Sequence, residues 1–445
     1  MFNNLRIKNF RSIKDSKNLK LSNLNIIIGP NNAGKSSILY SILLLKQTLN
    51  DKDPNAALVT SGPYLDLGSY LDLINANNPE KSLEINFELN KSFSQRIQNI
   101  SRNWHLDNLM KKCNKFQIKF KFDKKKNNIF VSTFNISNSK SRESYAGKYI
   151  NEKWVLNGFP KEILPYMEIY LEHFLPRFHS FGKKPKSELI VNKVLGLYYS
   201  GIAISTVFRG LFERILYVGP IRQMIPKYGF LGTQSYSELS PSGQNLMKII
   251  STIKFYGITK KSILTELNYW LDKKFHVIKN IRILNIDSDK TIISIYGDDW
   301  HGDKNINLAL MGSGLSQIVP VIVQTIITPK NGCVIIEQPE IHLHPAAQAT
   351  LGDLFVRYAK NNKQIIVETH SEHLLLRVRR RVAEGKISPD LVSIFFVDKS
   401  KNETRIRKLN LQKNGHFKSW PANFFEEGYR EAMAIAMAQT KDKSK

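Results

Sequence analysis

Cysteine is scarce in this sequence: 445 residues include two, Cys113 and Cys333. They lie far apart and in no metal-ligand spacing, which excludes a disulfide framework and a cysteine zinc site as organising devices. Cys333 leads into an apolar strand, where burial is expected rather than reactivity. Long apolar runs are missing too. No window approaches the ~20 uninterrupted apolar residues that a membrane span requires. The opening Met1-Phe-Asn-Asn-Leu-Arg-Ile-Lys-Asn-Phe10 alternates like a strand instead of running apolar like a signal peptide. A cytoplasmic location without membrane partners is the expectation. Internal repeats and long low-complexity linkers are also absent. Acidic residues are few, 38 against 65 Lys and Arg, leaving a formal charge of +27. Such a field favours polyanions, nucleic acid first. The alternative is a compositional bias that coats the surface with solvated lysines.

What is present is enough apolar material, 42% of residues, for a large packed core, and the length suggests about two or three domains. Strand-like Leu5–Phe10, Leu19–Leu21 and Leu24–Ile28 lead to a glycine turn and a helix from Lys35 to about Leu49. That helix is apolar nearly all round, so it belongs against a sheet. Alternating segments follow at Leu83–Leu89, Phe116–Phe122 and Phe130–Ile136, as in antiparallel strands. Between about Pro160 and Arg214 the pattern predicts helix, with Tyr166, Tyr170, Phe174, Phe178 and Phe181 spaced as an aromatic stripe that is more often a core face than a base-stacking platform. From about Asn305 an α/β pattern returns. Strands Cys333–Glu337 and Gln364–Glu368 each precede a polar loop and a helix, and continuous apolar runs of this kind suit parallel strands buried on both faces. Leu391–Val397 and Thr404–Leu409 read as two further strands before a short helical tail. The expected division is residues 1–80, an N-terminal lobe; 81–215, an inserted α+β region; 216–304, a return segment; and 305–445, a C-terminal lobe.

Gly29-Pro-Asn-Asn-Ala-Gly34-Lys35-Ser36-Ser37 fits the P-loop pattern and falls between a strand and a helix, the context it needs. Glycines let the backbone wrap a triphosphate, the helix N-terminus adds partial positive charge, Lys35 adds a full one, and Ser36 offers a hydroxyl to Mg²⁺. At Glu337-Gln338-Pro339-Glu340 an apolar strand ends in carboxylates, an arrangement that can hold a Mg²⁺-bound water or orient an attacking one. His370 stands at the tip of the next buried strand, with Ser371 placed to cap the following helix. Gly312-Ser313-Gly314-Leu315-Ser316-Gln317 sets small residues and hydroxyls at the head of another helix. Tyr217-Val-Gly-Pro-Ile-Arg222 reads either as a turn or as a nucleotide or DNA contact. Arg377, Arg379, Arg380 and Arg381 form a basic helix face, either solvated or set against phosphates.

The order of these motifs resembles the ABC-type ATPase heads of SMC-like, recombination-repair and overcoming-lysogenization-defect proteins, and most closely bacterial AAA-family ATPases with a DUF3696-type C-terminal region. Asn9–Ser12, Gly29–Ser37, Tyr217–Arg222, Gly312–Gln317, Glu337–Pro345, Glu368–His370 and Trp420–Phe425 carry the resemblance. It implies an α/β fold: an ABC-type P-loop head with a mixed, largely parallel sheet, flanking helices and an α+β insertion. It implies ATP and Mg²⁺ as cofactors, with Arg11, Gly29, Asn31, Asn32, Ala33, Gly34, Lys35, Ser36 and Ser37 around the nucleotide and with Ser36 and Glu337 toward the metal. Glu337, Gln338, Glu340 and His370 take the catalytic positions. Ser313, Gly314, Ser316 and Gln317 would reach the γ phosphate held by another subunit, so that two ATPs lie sandwiched in a homodimer.

Gln338 departs from that pattern, because the position usually carries the catalytic Glu. Gln can position a water but cannot accept its proton, so either hydrolysis is slow or Glu340 serves as base. The expected activity is an ATPase working as a nucleotide-gated dimeric switch, related to phage defence or DNA maintenance, touching nucleic acid and leaving the damage to a separate effector. A nuclease is the alternative, but only 75 residues follow His370, too few for an appended Toprim domain, and Asp107, Asp123 and Glu143 are scattered among lysines. A third reading is an ATP-bound scaffold with little turnover.

Overall fold

The computed structural model describes residues 1–100, 106–141, 143–180, 185, 187–231, 236–252, 259–289, 291–300, 302, 304–400 and 403–418. The expected helical tail, Trp420–Phe425 and Phe181 lie outside them.

The core element is a six-stranded sheet ordered Ile215–Val218, Cys333–Glu337, Gln364–Glu368, Leu24–Ile28, Val392–Ser400, Glu403–Leu409. Its first five strands are parallel and the last pairs antiparallel. The three central strands are buried along their whole length because both faces are covered. Ile27, Ile335, Ile366 and Phe395 turn to one side, where the helix Lys35–Leu49 and the N-terminal sheet pack. Ile26, Ile28, Val334, Ile336, Ile365 and Val367 turn to the other, against helices Ser313–Ile327, Pro345–Lys360 and Glu372–Ala383. Polar chemistry is thereby confined to the strand tips, and parallel strands put their tips on one edge.

The second large sheet is antiparallel: Ile13–Asp15, Phe2–Phe10, Leu83–Leu89, Lys115–Asp123, Asn128–Ser137, Ser144–Ile150 and Lys153–Asn157, with Leu19–Lys20 also on Phe2–Phe10. Phe2–Phe10 pairs with Leu83–Leu89, so hydrogen-bonded pairing runs straight across residue 80, and no edge of the sheet falls there. The helix Glu188–Phe212 lies over this sheet through an aromatic cluster, Phe208 meeting Phe116, Phe93 and Phe87 at ring distances of 4.7, 5.3 and 5.6 Å. By length and composition this helix could cross a membrane, but 61% of its apolar window is buried inside the chain.

Of the helix expected from about residue 160, a 3-10 helical stretch forms at Lys161–Tyr166 and the long α-helix begins only at Glu188. Residues Met167–Glu172 and Leu175–Ser180 form a β-hairpin with Ile169 opposite Phe178. The spacing of four between the aromatic residues there is also an even number, so it fits a strand's alternation as well as a helix stripe. The turn at His173 and Phe174 breaks the stripe: Phe174 and Phe178 are core, whereas Tyr170 is 45% exposed.

Gln364 fastens the two sheets. Its Oε1 accepts from the Phe2 amide at 3.0 Å, and its Nε2 donates to the Phe2 and Ser22 carbonyls at 2.8 and 3.0 Å. Gln364→Ala strands a buried donor and a buried acceptor, so a loss of about 2–4 kcal/mol is expected in urea unfolding. An unchanged midpoint would refute that role for the side chain.

Candidate functional site

The loop after Leu24–Ile28 is held open by two glycines that no other residue could replace. Gly29 has φ +149°, and a Cβ there would stand 2.0 Å from the Val397 carbonyl oxygen. Gly34 has φ +98°, and its Cβ would stand 2.5 Å from Thr404 Oγ1 and 2.6 Å from Ser12 Oγ. Thr404 donates to the Ala33 carbonyl at 2.8 Å and lies 2.7 Å from Ser12 Oγ, so the last strand of the sheet braces the loop from behind. Asn32 takes a left-handed φ of 58°. Lys35 is buried and folds back, donating to the carbonyls of Gly29 at 3.1 Å and Pro30 at 2.8 Å. Burial lowers its ammonium pKa, while Glu368 and Glu340 oppose that shift.

A cavity of about 810 Å³ opens over this loop, within the size range of small-molecule sites. Arg11, Asn31, Asn32, Gly34, Lys35, Ser36 and Ser37 line it, joined by Gln338, Glu368 and His370 from the neighbouring strand tips. Arg11, itself exposed, sets its guanidinium 5.7 Å from the Tyr40 ring centre. The far wall is the Ile74–Asn77 turn with Asp72 and Lys81, a contribution from residues that carry no motif.

The carboxylates at the strand tips differ in what they touch. Glu337 accepts from Tyr217 at 2.6 Å and from Tyr40 at 3.4 Å, and it does not line the cavity. Burial, with Glu368 beside it, pushes its pKa up to about 7. Glu340 Oε1 accepts from the His370 amide at 2.6 Å, while its Oε2 is buried without a partner. Glu368 closes the strand next to the P-loop strand. It faces the cavity, and its Oε2 is likewise buried and unpartnered. Burial raises the carboxyls of Glu340 and Glu368 as well. His370 is half-buried with Nε2 unpartnered, and burial and Lys35 lower its pKa, so the imidazole is neutral at physiological pH. In the sequence Glu368 drew notice only as a neighbour of His370, although it ends a buried parallel strand just as Glu337 does.

Tyr217–Arg222 is more than a bare turn, since Ile221 is 82% exposed while Arg222 turns inward. Arg222 is buried, and its guanidinium straps the carbonyls of Glu337 and Gln338, the latter at 3.1 Å. Burial brings its pKa down to about 10. Gln338, with a left-handed φ of 43°, donates its amide to the Glu368 carbonyl at 2.8 Å. Arg222 also receives a bond from Gln317 Nε2 at 3.2 Å, and the Ile225 amide bonds Ser316 Oγ at 3.1 Å. Ser316 and Gln317 are therefore buried within their own chain, while Ser313 is exposed and Gly314 half-exposed. None of the four lines the cavity. The basic helix face is paired internally: Arg377 and Arg381 with Asp353, Arg380 with Glu384, and Arg379 with the Gly415 carbonyl. Asp107 is occupied too, capping a helix and accepting from Tyr145 at 2.9 Å. Among the described residues no group of three or more His, Cys, Asp or Glu side chains is placed to hold a metal by itself. Mg²⁺ in phosphate sites takes one or two carboxylates plus phosphates and waters, so the Ser36 and Glu368 oxygens are the expected kind of donors.

A family model described as an AAA ATPase domain matches residues 1–172 and 232–375, well over half of the chain. The chain belongs to the AAA ATPase domain family. A second model, for a protein of unknown function designated DUF3696, matches residues 387–435 of this ATPase. Over 99 residues it is 36% identical to the uncharacterized protein MJECL10 of Methanocaldococcus jannaschii, a stretch covering 21% of this chain and 44% of that protein. The chain thus spans under half the length of that curated relative. Solved structures similar to it include an Smc head bound to the C-winged helix domain of ScpA, 16% identical with a TM-score of 0.47 over 93% of this chain and 99% of that one. Another is an Smc head with an extended coiled coil bound to the C-terminal domain of ScpA derived from Pyrococcus furiosus, 14% identical with a TM-score of 0.44 over 93% and 97%. The SMC head domain from Thermotoga maritima is 14% identical with a TM-score of 0.37 over 91% and 98%. At these values the assignment rests on the domain match and the site.

Two outcomes are expected of this ATPase site. Gly29→Ala drives its methyl group into the Val397 carbonyl, so nucleotide binding measured by calorimetry should be lost. Binding at wild-type strength would contradict the geometry. Glu337 has a folded pKa of about 7 against an ordinary value near 4.3. The native state therefore holds the extra proton in between. The resulting stability is fully present below about pH 4 and lost as pH rises through about 7, on the order of 3–4 kcal/mol. Glu337→Gln should lack that loss. If wild type and variant change in parallel from pH 5 to pH 8 in urea unfolding of the nucleotide-free protein, Glu337 is not the group.

Proposed function

We propose that this chain binds ATP with Mg²⁺ in the cavity over Gly29–Ser37 and acts as a nucleotide-gated switch between two copies of itself. The supporting observation is the meeting, in one cavity, of Lys35 and Ser36 with Gln338, Glu368 and His370 from two adjacent strand tips. In this reading the loop amides and Lys35 hold the phosphates, Arg11 and the Ile74–Asn77 turn border the rest of the nucleotide, and Mg²⁺ sits at Ser36 among the carboxylates, Glu337 being the position that the family resemblance implies. The metal neutralises the phosphate charge that develops on transfer. The neutral His370 presents Nε2 toward the phosphate end and reports its occupancy to the helix that begins at Glu372.

Closure would bring Ser313 and Gly314, at the head of their helix, to the second copy's nucleotide, with Ser316 and Gln317 holding that helix in place. The charge of +27 supports nucleic acid as the surface that the switch engages. With acidic side chains such as Asp107 tied up in structure, the chemistry on that partner falls to a separate effector, in defence or in DNA maintenance. A second reading, an ATP-held scaffold with little turnover, is favoured by Gln338, which accepts no proton.

ATP turnover by the purified chain, with and without duplex DNA, separates the two. An active ATPase should lose turnover by about 10²-fold or more in Lys35→Ala, since the Lys35 charge acts on the transferring phosphates, and also in Glu340→Gln if Glu340 is the base. Turnover that appears only in Gln338→Glu makes the native chain an ATP-held scaffold. Turnover unaffected by Lys35→Ala removes the site from the reaction altogether.

A further inference from the structure

Of the three strand-tip carboxyls, two are already engaged. Glu337 is shared between Tyr217 and Tyr40 and stands outside the cavity. Glu340 is bonded to the His370 backbone, also off the cavity wall. Glu368, unlike either of them, faces the cavity. It lines the cavity together with Lys35 and Ser36; it is 3% exposed, and its Oε2 has no hydrogen-bond partner. Ser36 stands beside it and counters part of the upward shift that burial puts on its carboxyl. Its main chain is fixed, because the Glu368 carbonyl accepts from the Gln338 amide at 2.8 Å and the strand is paired on both sides.

A buried carboxylate oxygen without a partner is costly and calls for an explanation. Here the neighbouring donor set is a hydroxyl oxygen and a cavity that receives phosphates. Lys35 is near but turned away, donating to Gly29 and Pro30 instead. A hard divalent cation fits that gap, because Mg²⁺ prefers oxygen donors and completes its shell with phosphate and water oxygens.

We propose that Glu368 is a direct ligand of the Mg²⁺ that accompanies ATP, paired with Ser36, and that Glu337 stands behind it as a positioning residue. The two tyrosines on Glu337, and Arg222 on its carbonyl, then fix the strand tip against which Glu368 is set. Departure from the usual pattern at Gln338 is matched by a carboxylate on the next strand, so the site keeps its negative charge but moves it one strand closer to the P-loop. This assignment rests on the ATP-site reading given above.

The test is binding of a fluorescent ATP analogue, mant-ATP, by the full chain in EDTA and in Mg²⁺, which reads the metal without turnover. In wild type Mg²⁺ should tighten binding. Ser36→Ala and Glu368→Gln should each shrink that tightening by at least about 10-fold. In EDTA, Glu368→Gln should bind mant-ATP as well as wild type or better, because a negative charge beside the triphosphate is gone, and that retained binding also shows the variant is folded. Glu368→Asp, which keeps the carboxylate, should recover part of the Mg²⁺ effect, and Glu337→Gln should lose less of it than Glu368→Gln. A wild-type Mg²⁺ effect in Glu368→Gln, or one lost as fully in Glu337→Gln, overturns the proposal. Wild-type binding that ignores Lys35→Ala overturns the ATP-site reading itself, and this assignment with it.

Discussion

The site depends on one constraint: an ammonium and several carboxyls are buried together at one edge of the sheet. Lys35 is buried and solvated only by loop carbonyls, while Glu337, Glu340 and Glu368 are all buried within the same few strand tips. Burial raises all three carboxyls and lowers the ammonium. A polyanionic phosphate and a divalent cation bring opposite charges to this edge and would relieve both frustrations together. The rest of the architecture keeps the edge in that state: helices cover both faces of the sheet, and Arg222, Tyr217 and Tyr40 hold the tip of Cys333–Glu337 in place.

The two glycines show how tightly the loop is specified. A side chain at Gly29 would collide with the main chain of a neighbouring strand, and one at Gly34 with Thr404 and Ser12. The loop is thus shaped both by its own torsions and by two partners distant in sequence, one just after the first strand and one on the last strand of the sheet. Gln364 has a similar part at the other end of the sheet, tying Phe2 to the central strand. Strands from both ends of the chain have to meet before the nucleotide site exists.

Short-range patterns were readable in the sequence because they are set by local backbone chemistry. Glycine torsions, the helix that starts at Lys35, the Pro345 start, the Ser371 cap and the apolar strand runs each need only their immediate neighbours. The hairpin at Met167–Ser180 was not readable from the spacing of its aromatic residues, since a spacing of four serves a helix face and a strand face alike. The direction of Ser316 and Gln317 was hidden for another reason. A helix head can offer its hydroxyls to a ligand or to its own chain, and here Arg222 and Ile225, far away in sequence, take them.

By itself the sequence determined the phosphate loop, the buried strands that flank it, and the set of polar residues available at their ends, because each of these follows from residue type and local spacing. Only the tertiary structure decided which of those residues face the cavity. Strand order puts Gln364–Glu368, not Cys333–Glu337, beside Leu24–Ile28, and the tyrosines claim Glu337. Pairing order and competition for hydrogen bonds are properties of the assembled sheet, so equivalent carboxylates on paper become a cavity-lining group in one case and a tyrosine-bonded group off the cavity wall in the other.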